Sequence, residues 1–442
     1  MRFLPIKIAP EHPPHFLHHP PYPVIPDMIP WLLVGYMWLF VHRPHEAFTR
    51  LQGLRIVIVY MVFVGALWLI TSPEAKRPLG NIFTLAVFLY AIALGLATLF
   101  SPFTASFIDS PFVDWLKYVL FFVIFMTSVK TERDLKIVAT GFVIAFFLWM
   151  AHSYRGYLLG NVHYSTGAYR IVPVGQTFSN ANDYGTIIAC ALPMIIPLAT
   201  LCKKYWHYLF VIVYVLLTVR STILTGSRTA FLMLLAIAIL PVLFSRHRFK
   251  VLPFLFIAIP IGWFSMSETM QTRYMTIVDS SISEAANENM AGRTEGFWGG
   301  LENWTNYPIF GVGPSCHGLA LGTPFRTHNL IGEVVGETGT IGTLAFSFLV
   351  LCFGINHYHV WKNYKYLKEH NLSKEGLYCW RVSLAVMYGV VMLQFQGLGL
   401  HNASHFTWLW FGAFQALATE IMQEKVNDAK RGKLLPSLPV KK

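Results

Sequence analysis

An all-α, polytopic membrane fold is what this sequence predicts, and three observations predict it. Hydrophobic residues make up 55% of the 442-residue chain and charged residues only 13%, against about a quarter charged in soluble proteins. Mean hydropathy is +0.49. Apolar segments near the length a bilayer demands, roughly 20 residues, recur from one end of the chain to the other. In hydrocarbon a segment satisfies its own backbone only as a helix, which fixes the class.

Taken in order, the apolar segments read as spans at 28–43, 54–71, 80–101, 112–129, 135–153, 184–201, 206–225, 228–245, 250–266, 338–358, 379–398 and 406–422. The expected organisation is a Pro/His-rich start (1–27), nine transmembrane helices (28–266), a long polar loop (267–337), three more helices (338–422) and a basic tail (423–442). The first span is short, with Pro26 and Pro30 at its start. Pro193 predicts a kink in the sixth, whose freed backbone groups neighbouring helices can satisfy. In the long loop, Phe297, Trp298, Leu301 and Trp304 repeat at helical spacing. They predict a short amphipathic helix on the membrane surface, opened by Gly292-Arg293 and ended by Tyr307-Pro308. A second short helix is expected from His328 to Glu337, capped by Thr327. The tail after Met422 is expected to be disordered.

The net charge of +12 fits a positive-inside bias and gives no reason to expect nucleic acid as a partner. With the termini inside, twenty-three of the 34 Lys and Arg residues fall on the inner side and nine on the outer. If the first segment does not cross, the amino terminus flips outside and the rest is unchanged. The outer nine are all arginine: Arg43, Arg50, Arg55, Arg155, Arg170, Arg228, Arg273, Arg293 and Arg326. Lysine anchors to anionic lipid as a point charge, whereas the arginine fork matches two phosphate oxygens. The five cysteines (190, 202, 316, 352 and 379) suggest neither a disulfide framework nor a zinc site. No cleavable signal peptide is evident. His12, His15, His18 and His19 among prolines could hold a metal only weakly, so no metal or cofactor is predicted.

Four constellations could carry chemistry. Arg228, in Gly226-Ser227-Arg228-Thr229-Ala230, stands at the outer lip of a helical hairpin, where a helix start favours an anion. The plain alternative is an arginine reaching to the interface. Arg293 is placed in the first turn of the surface helix, against the dipole preference. It makes sense beside an anion, either a phosphate or one of Glu288 and Glu295. His328 sits near the bilayer surface, where a neutral imidazole can take a proton from a hydroxyl. Glu333 or Glu337 could orient it, and the alternative is a solvated loop side chain. The run 175–185 is dense in amides and hydroxyls, with Asn180, Asn182 and Asp183 suited to sugar or phosphate and Asn180 or Asn182 equally to capping. Arg170 and Tyr169 lie just before it. Arg326 and Asn329 flank His328.

Asn-Ala-Asn-Asp at 180–183, Gly-Ser-Arg-Thr-Ala at 226–230, Gly-Arg at 292–293 and Thr-His-Asn at 327–329, in this order around one outer loop, resemble the O-antigen ligase and polymerase superfamily. The resemblance covers roughly residues 170–400. It implies a GT-C-like bundle of about a dozen helices in the bacterial inner membrane, with its active site facing the periplasm. It implies inverting, metal-independent transfer of a glycan from undecaprenyl-diphosphate to a sugar hydroxyl of lipid A–core. Arg228 and Arg293 would bind the diphosphate and His328 would act as base. Arg170, Asn180, Asn182, Asp183, Arg326 and Asn329 are the candidate substrate contacts. An O-antigen or exopolysaccharide polymerase and a protein O-oligosaccharyltransferase are the alternatives within reach of the same residues. A transporter or flippase, from another class, calls for paired broken helices and mid-membrane charges, and only Arg220 is a deep charge. A structural scaffold leaves the arginine-only outer loops unexplained.

Overall fold

The computed structural model describes residues 25–48, 50–51, 53–103, 110–165, 167–175, 180–243, 248–282, 284–323 and 327–434. The histidines of the amino-terminal segment, Gln176 to Ser179 and Arg326 lie outside them. Helices dominate, and local sequence explains their starts. After α1 (Ile25–His42) and α2 (Ile56–Ile70), Asn81 caps α3 (Ile82–Leu99) by accepting from Phe83 N–H at 2.8 Å. Ser110 and Pro111 open α4 (Pro111–Ser128). A reciprocal Thr131–Asp134 capping box opens α5 (Glu132–Leu158). An antiparallel hairpin follows, β1 (Val162–Ser165) and β2 (Ala168–Ile171), with His163 opposite Arg170 and Tyr164 opposite Tyr169. α6 (Ala181–Ala191) gives way to a 3-10 turn at Leu192–Met194 before α7 (Ile195–Ala199), the break expected at Pro193.

The remaining helices are α8 (Tyr205–Leu224), α9 (Arg228–Leu243), α10 (Arg248–Phe264), α11 (Glu268–Met275), α12 (Glu284–Asn306), α13 (His317–Leu321), α14 (Leu330–Glu369), α15 (Ser373–Gly397) and α16 (Phe406–Lys430). α14 breaks at Gly339, which takes φ 62° and ψ −162°. Among the described residues, seven helices are long and apolar enough to cross a membrane: α3, α4, α5, the α6–α7 pair, α8, α14 and α15. Shorter apolar helices cover Met28–His42, Ile56–Ile70 and Arg228–Leu240. The chain is therefore a mostly helical, polytopic membrane protein.

α16 is the axis of the bundle. It packs against α3, α4, α5, α14 and α15, and from Phe406 to Thr419 its residues are buried on every side. Trp410 meets Phe121, Phe142 and Phe406 with ring centroids between 4.7 and 6.1 Å. A helix surrounded by protein has no lipid to satisfy. It can carry Gln415, Thr407 and Thr419, and it falls outside the apolar group for that reason.

The two ends of the bundle differ in chemistry. At one end Arg77 pairs with Glu420 and Glu424 at 3.1 and 2.9 Å, and Lys425 pairs with Glu132. These contacts hold the loop before α3, the α4–α5 turn and the end of α16 together. At the other end lie the β-hairpin, the α8–α9 turn, α11 to α13 and the start of α14, joined by the contacts described below.

Four local expectations need correction. The hairpin β1–β2 is a strand element in a chain expected to be wholly helical. α12 begins at Glu284, well before Gly292. The Glu-Ala-Ala-Asn-Glu run ahead of it is good helix-forming sequence with acid at the favoured end, so Arg293 lies in mid-helix, where the dipole argument lapses. α14 is capped by Asn329, whose Oδ1 accepts from Ile331 and Gly332 N–H at 3.0 and 3.1 Å. His328 is therefore outside the helix and Thr327 is not the cap. The segment after Met422 continues helical to Lys430, because its ion pairs fasten it to α5 and α15.

Candidate functional site

Two polar groups lie at the end of the bundle opposite the Arg77 ion pairs. The first is built on the α8–α9 turn. Gly226 takes φ +60°, a conformation open to glycine at little cost. The turn presents two successive carbonyls outward. Arg170, on β2, donates its Nε to Thr225 O and a terminal nitrogen to Asn182 Oδ1 at 2.5 Å. Arg273, on α11, donates its Nε to Gly226 O at 2.6 Å. A Cβ at position 226 would stand 2.8 Å from that same Nε, so close approach demands glycine as much as the turn does. Arg228, opening α9, donates to Thr276 Oγ1 at 3.1 Å, and Thr276 donates onward to Arg273 O at 2.7 Å.

Three guanidinium groups are thus gathered around one turn. Burial, and after it the charge of the neighbouring Arg273, hold the Arg170 guanidinium down to about 10. Burial and then the charge of Arg228 lower Arg273. All three still carry charge near neutral pH. Among the described residues, the hydrogen-bond partners of Arg170 and Arg228 are neutral oxygens. Partly desolvated cations this close repel one another, and a multivalent anion among them offsets the repulsion. Asn180 caps α6 by accepting from Asn182 N–H at 2.8 Å, so Asn182 both starts the helix and holds Arg170. Asp183 lies in the same first turn.

The second group surrounds His328. α12 and the first part of α14 cross through glycine. A Cβ on Gly300 would lie 2.4 Å from the Gly332 Cα, one on Gly336 2.8 Å from the Gly300 Cα, and one on Gly296 3.1 Å from His328 N. Gly296 and Gly300 on one helix and Gly332 and Gly336 on the other form a small-xxx-small crossing that lets the backbones touch. Position 293 is one turn before Gly296 on the same face, so the backbone brings it beside His328. The Arg293 side chain itself lies outside the described residues. The exposed His328 ring has the His401 ring 5.8 Å away. Just before it, Thr327 is buried, and its hydroxyl has no partner among the described residues.

Glu333 and Glu337 are buried and brace this region. Glu333 accepts from Asn402 and Ala403 N–H at 2.9 and 3.1 Å, and Glu337 accepts from Ser315 N–H at 2.7 Å. A hydrogen-bonded line joins the two groups. It runs from Arg170 through Asn182 to Thr186, then to Gln396 at 3.0 Å, on to Asn402 at 3.4 Å and so to Glu333.

The structure therefore places Arg170, Asn182 and Arg228 in one cluster with Asn180 and Asp183 at its edge, and places His328, Asn329 and the backbone of Arg293 in the other. Two residues went unmarked in the sequence. Arg273 counted only as one of nine outer arginines, and its place beside Gly226 depends on α11 folding back. His401 lies in the α15–α16 connection, at the same outer end as His328, and that shared side was its only signal.

The family model described as O-antigen ligase matches residues 213–347, a stretch that contains Arg228, Arg273, Arg293 and His328. No curated protein matches the chain.

Proposed function

We propose, from the match of residues 213–347 to the O-antigen ligase family model, that the chain is a glycosyltransferase of the ligase type, moving a glycan from undecaprenyl-diphosphate to a sugar hydroxyl of lipid A–core. The gathering of Arg170, Arg228 and Arg273 on one turn carries this reading. A diphosphate leaving group presents paired oxygens that guanidinium forks match. In the reaction the acceptor oxygen attacks the anomeric carbon from the face opposite the diphosphate. Its proton passes to a ring nitrogen of His328, the carbon–oxygen bond to the diphosphate breaks, and the electron pair leaves with the phosphate. Guanidinium groups, with Arg293 among them, stabilise the charge that grows there, which permits a reaction without a metal. His401 stands beside His328, with ring centroids 5.8 Å apart. Asn180, Asp183 and Asn329 are the residues assigned to the sugars, and Arg326 is assigned there on the resemblance alone. The reading takes twelve crossings with the site on the periplasmic side of the inner membrane, α16 among them and α10 completing the count.

The test is transfer in a strain lacking its own ligase, with products separated into lipid A–core, protein and lengthened polymer. Glycan on lipid A–core, unchanged by EDTA, supports the reading. Product only on protein or only as polymer replaces it with one of the related transfers.

A further inference from the structure

A cavity of about 360 Å³ opens beside the arginine cluster, between the end of α5, the β-hairpin, α8 and α11. Arg220 lines it, with Tyr157, Tyr164 and Tyr169 and the hydroxyl residues Ser267 and Thr269. Ala168, Ile223, Met266 and Met270 also line it and pack together as one apolar cluster. Arg170, Arg228 and Arg273 are not among its lining residues.

Arg220 is the one charge in α8, among residues such as Val215, Leu216, Leu217 and Val219. Leu209, Val213 and Leu216 are exposed, and Arg220, also exposed, continues that row at helical spacing. The row faces outward from the bundle, which in a membrane is the lipid side. Arg220 lies about 6 Å along the axis before the helix end at Leu224, a depth that corresponds to lipid headgroups. Among the described residues Arg220 makes no hydrogen bond or ion pair. Tyr164 and Tyr169 are exposed beside it, with ring centroids 5.0 Å apart. Rings with one apolar and one wet end suit that same level. A guanidinium at headgroup level, lining a cavity and with no counter-charge among the described residues, points to an anion from outside the chain.

We propose that this cavity is a binding site for the phosphate of a membrane lipid, held by the Arg220 fork, with hydroxyls of Ser267 and Thr269 completing the shell and the tyrosines covering the glycerol or sugar next to the phosphate. The site is reached from the bilayer, and it does not depend on which glycan the protein transfers or whether it transfers one.

The test is lipid binding by the full-length protein in phosphatidylcholine nanodiscs, read by native mass spectrometry as phosphatidylglycerol is added. The wild type is expected to retain one phosphatidylglycerol that Arg220→Gln binds about tenfold more weakly, as for loss of a charge-assisted contact. Arg220→Lys should fall between them, and Arg228→Gln should leave this lipid in place. Equal retention by wild type and Arg220→Gln would overturn the proposal. So would displacement of the lipid by inorganic phosphate at equal concentration, which would make the site one for soluble phosphate. Thermal unfolding of each variant in the same discs separates lost binding from lost fold. A folded Arg220→Gln that keeps the lipid counts against the site.

Discussion

Arg273 shows how much a single side chain adds once the chain is folded. Its Nε reaches Gly226 O at 2.6 Å, and through Thr276 it shares a partner with Arg228. Replacing it by glutamine removes one of the three cations while leaving a donor of similar length. Donor affinity is expected to fall by about tenfold, measured as a rise in the donor concentration giving half-maximal transfer. An unchanged donor requirement would take Arg273 out of the phosphate site. Arg228 drew notice in the sequence as an arginine in a glycine-containing turn between two apolar runs, with an ordinary interface arginine as the alternative. Arg170 gained meaning from the amides downstream of it. Arg273 was not legible, because its position depends on α11 turning back over the α8–α9 turn, and nothing local to Gln271-Thr272-Arg273 encodes that contact.

At the scale of elements, the α12–α14 crossing decides where position 293 meets His328. Gly300→Ala puts a Cβ 2.4 Å from Gly332 Cα and from its carbonyl oxygen, where only backbone can yield. Forcing the helices apart is expected to cost about 1–3 kcal/mol and to reduce transfer while donor binding stays. A thermal unfolding series alongside transfer assays measures both, and a variant of wild-type stability and rate would remove the crossing from the account. The small helix α13 docks on the same surface. His317 packs against Gly299 and lies 3.1 Å from Asn303, and burial lowers its folded value below 6.5. Docking is then fully supported above pH 6.5 and weakens as pH falls below it toward the folded value, because the unfolded segment takes up the proton first. Hydrogen exchange over residues 284–321 should quicken below pH 6.5 in the wild type and lose that dependence in His317→Gln. The apolar spans were readable because lipid enforces them. The start of α12 was misplaced because its first turns are polar, and hydrophobic spacing begins only at Phe297. The cap at Asn329 competed with an equally plausible Thr327, and only the backbone direction separates the two.

For the whole molecule, the two ends of the bundle do different work. The inner end is locked by ion pairs around Arg77, whose side chain is 7% exposed. Removing that cation strands Glu420 next to the core, so Arg77→Met should destabilise the protein by about 3–5 kcal/mol and leave diphosphate affinity of the folded fraction unchanged. Thermal unfolding and binding on one preparation check this, and a loss of affinity without loss of stability would contradict it. Loop composition separates a lysine-bearing set of loops from an arginine-only set, and the ion pairs around Arg77 lie with the first of these. The central place of α16 was not legible, because a helix wrapped by protein carries a weaker apolar signal than one wrapped by lipid.

The most direct measurement is a paired one: undecaprenyl-diphosphate binding and glycan transfer on purified His328→Ala and Arg228→Gln. His328→Ala should bind the diphosphate as the wild type does and lose transfer by at least about a hundredfold, while Arg228→Gln should lose the binding. Transfer at the wild-type rate by His328→Ala, or undiminished diphosphate binding by Arg228→Gln, would contradict the assignment of proton transfer to one cluster and phosphate to the other.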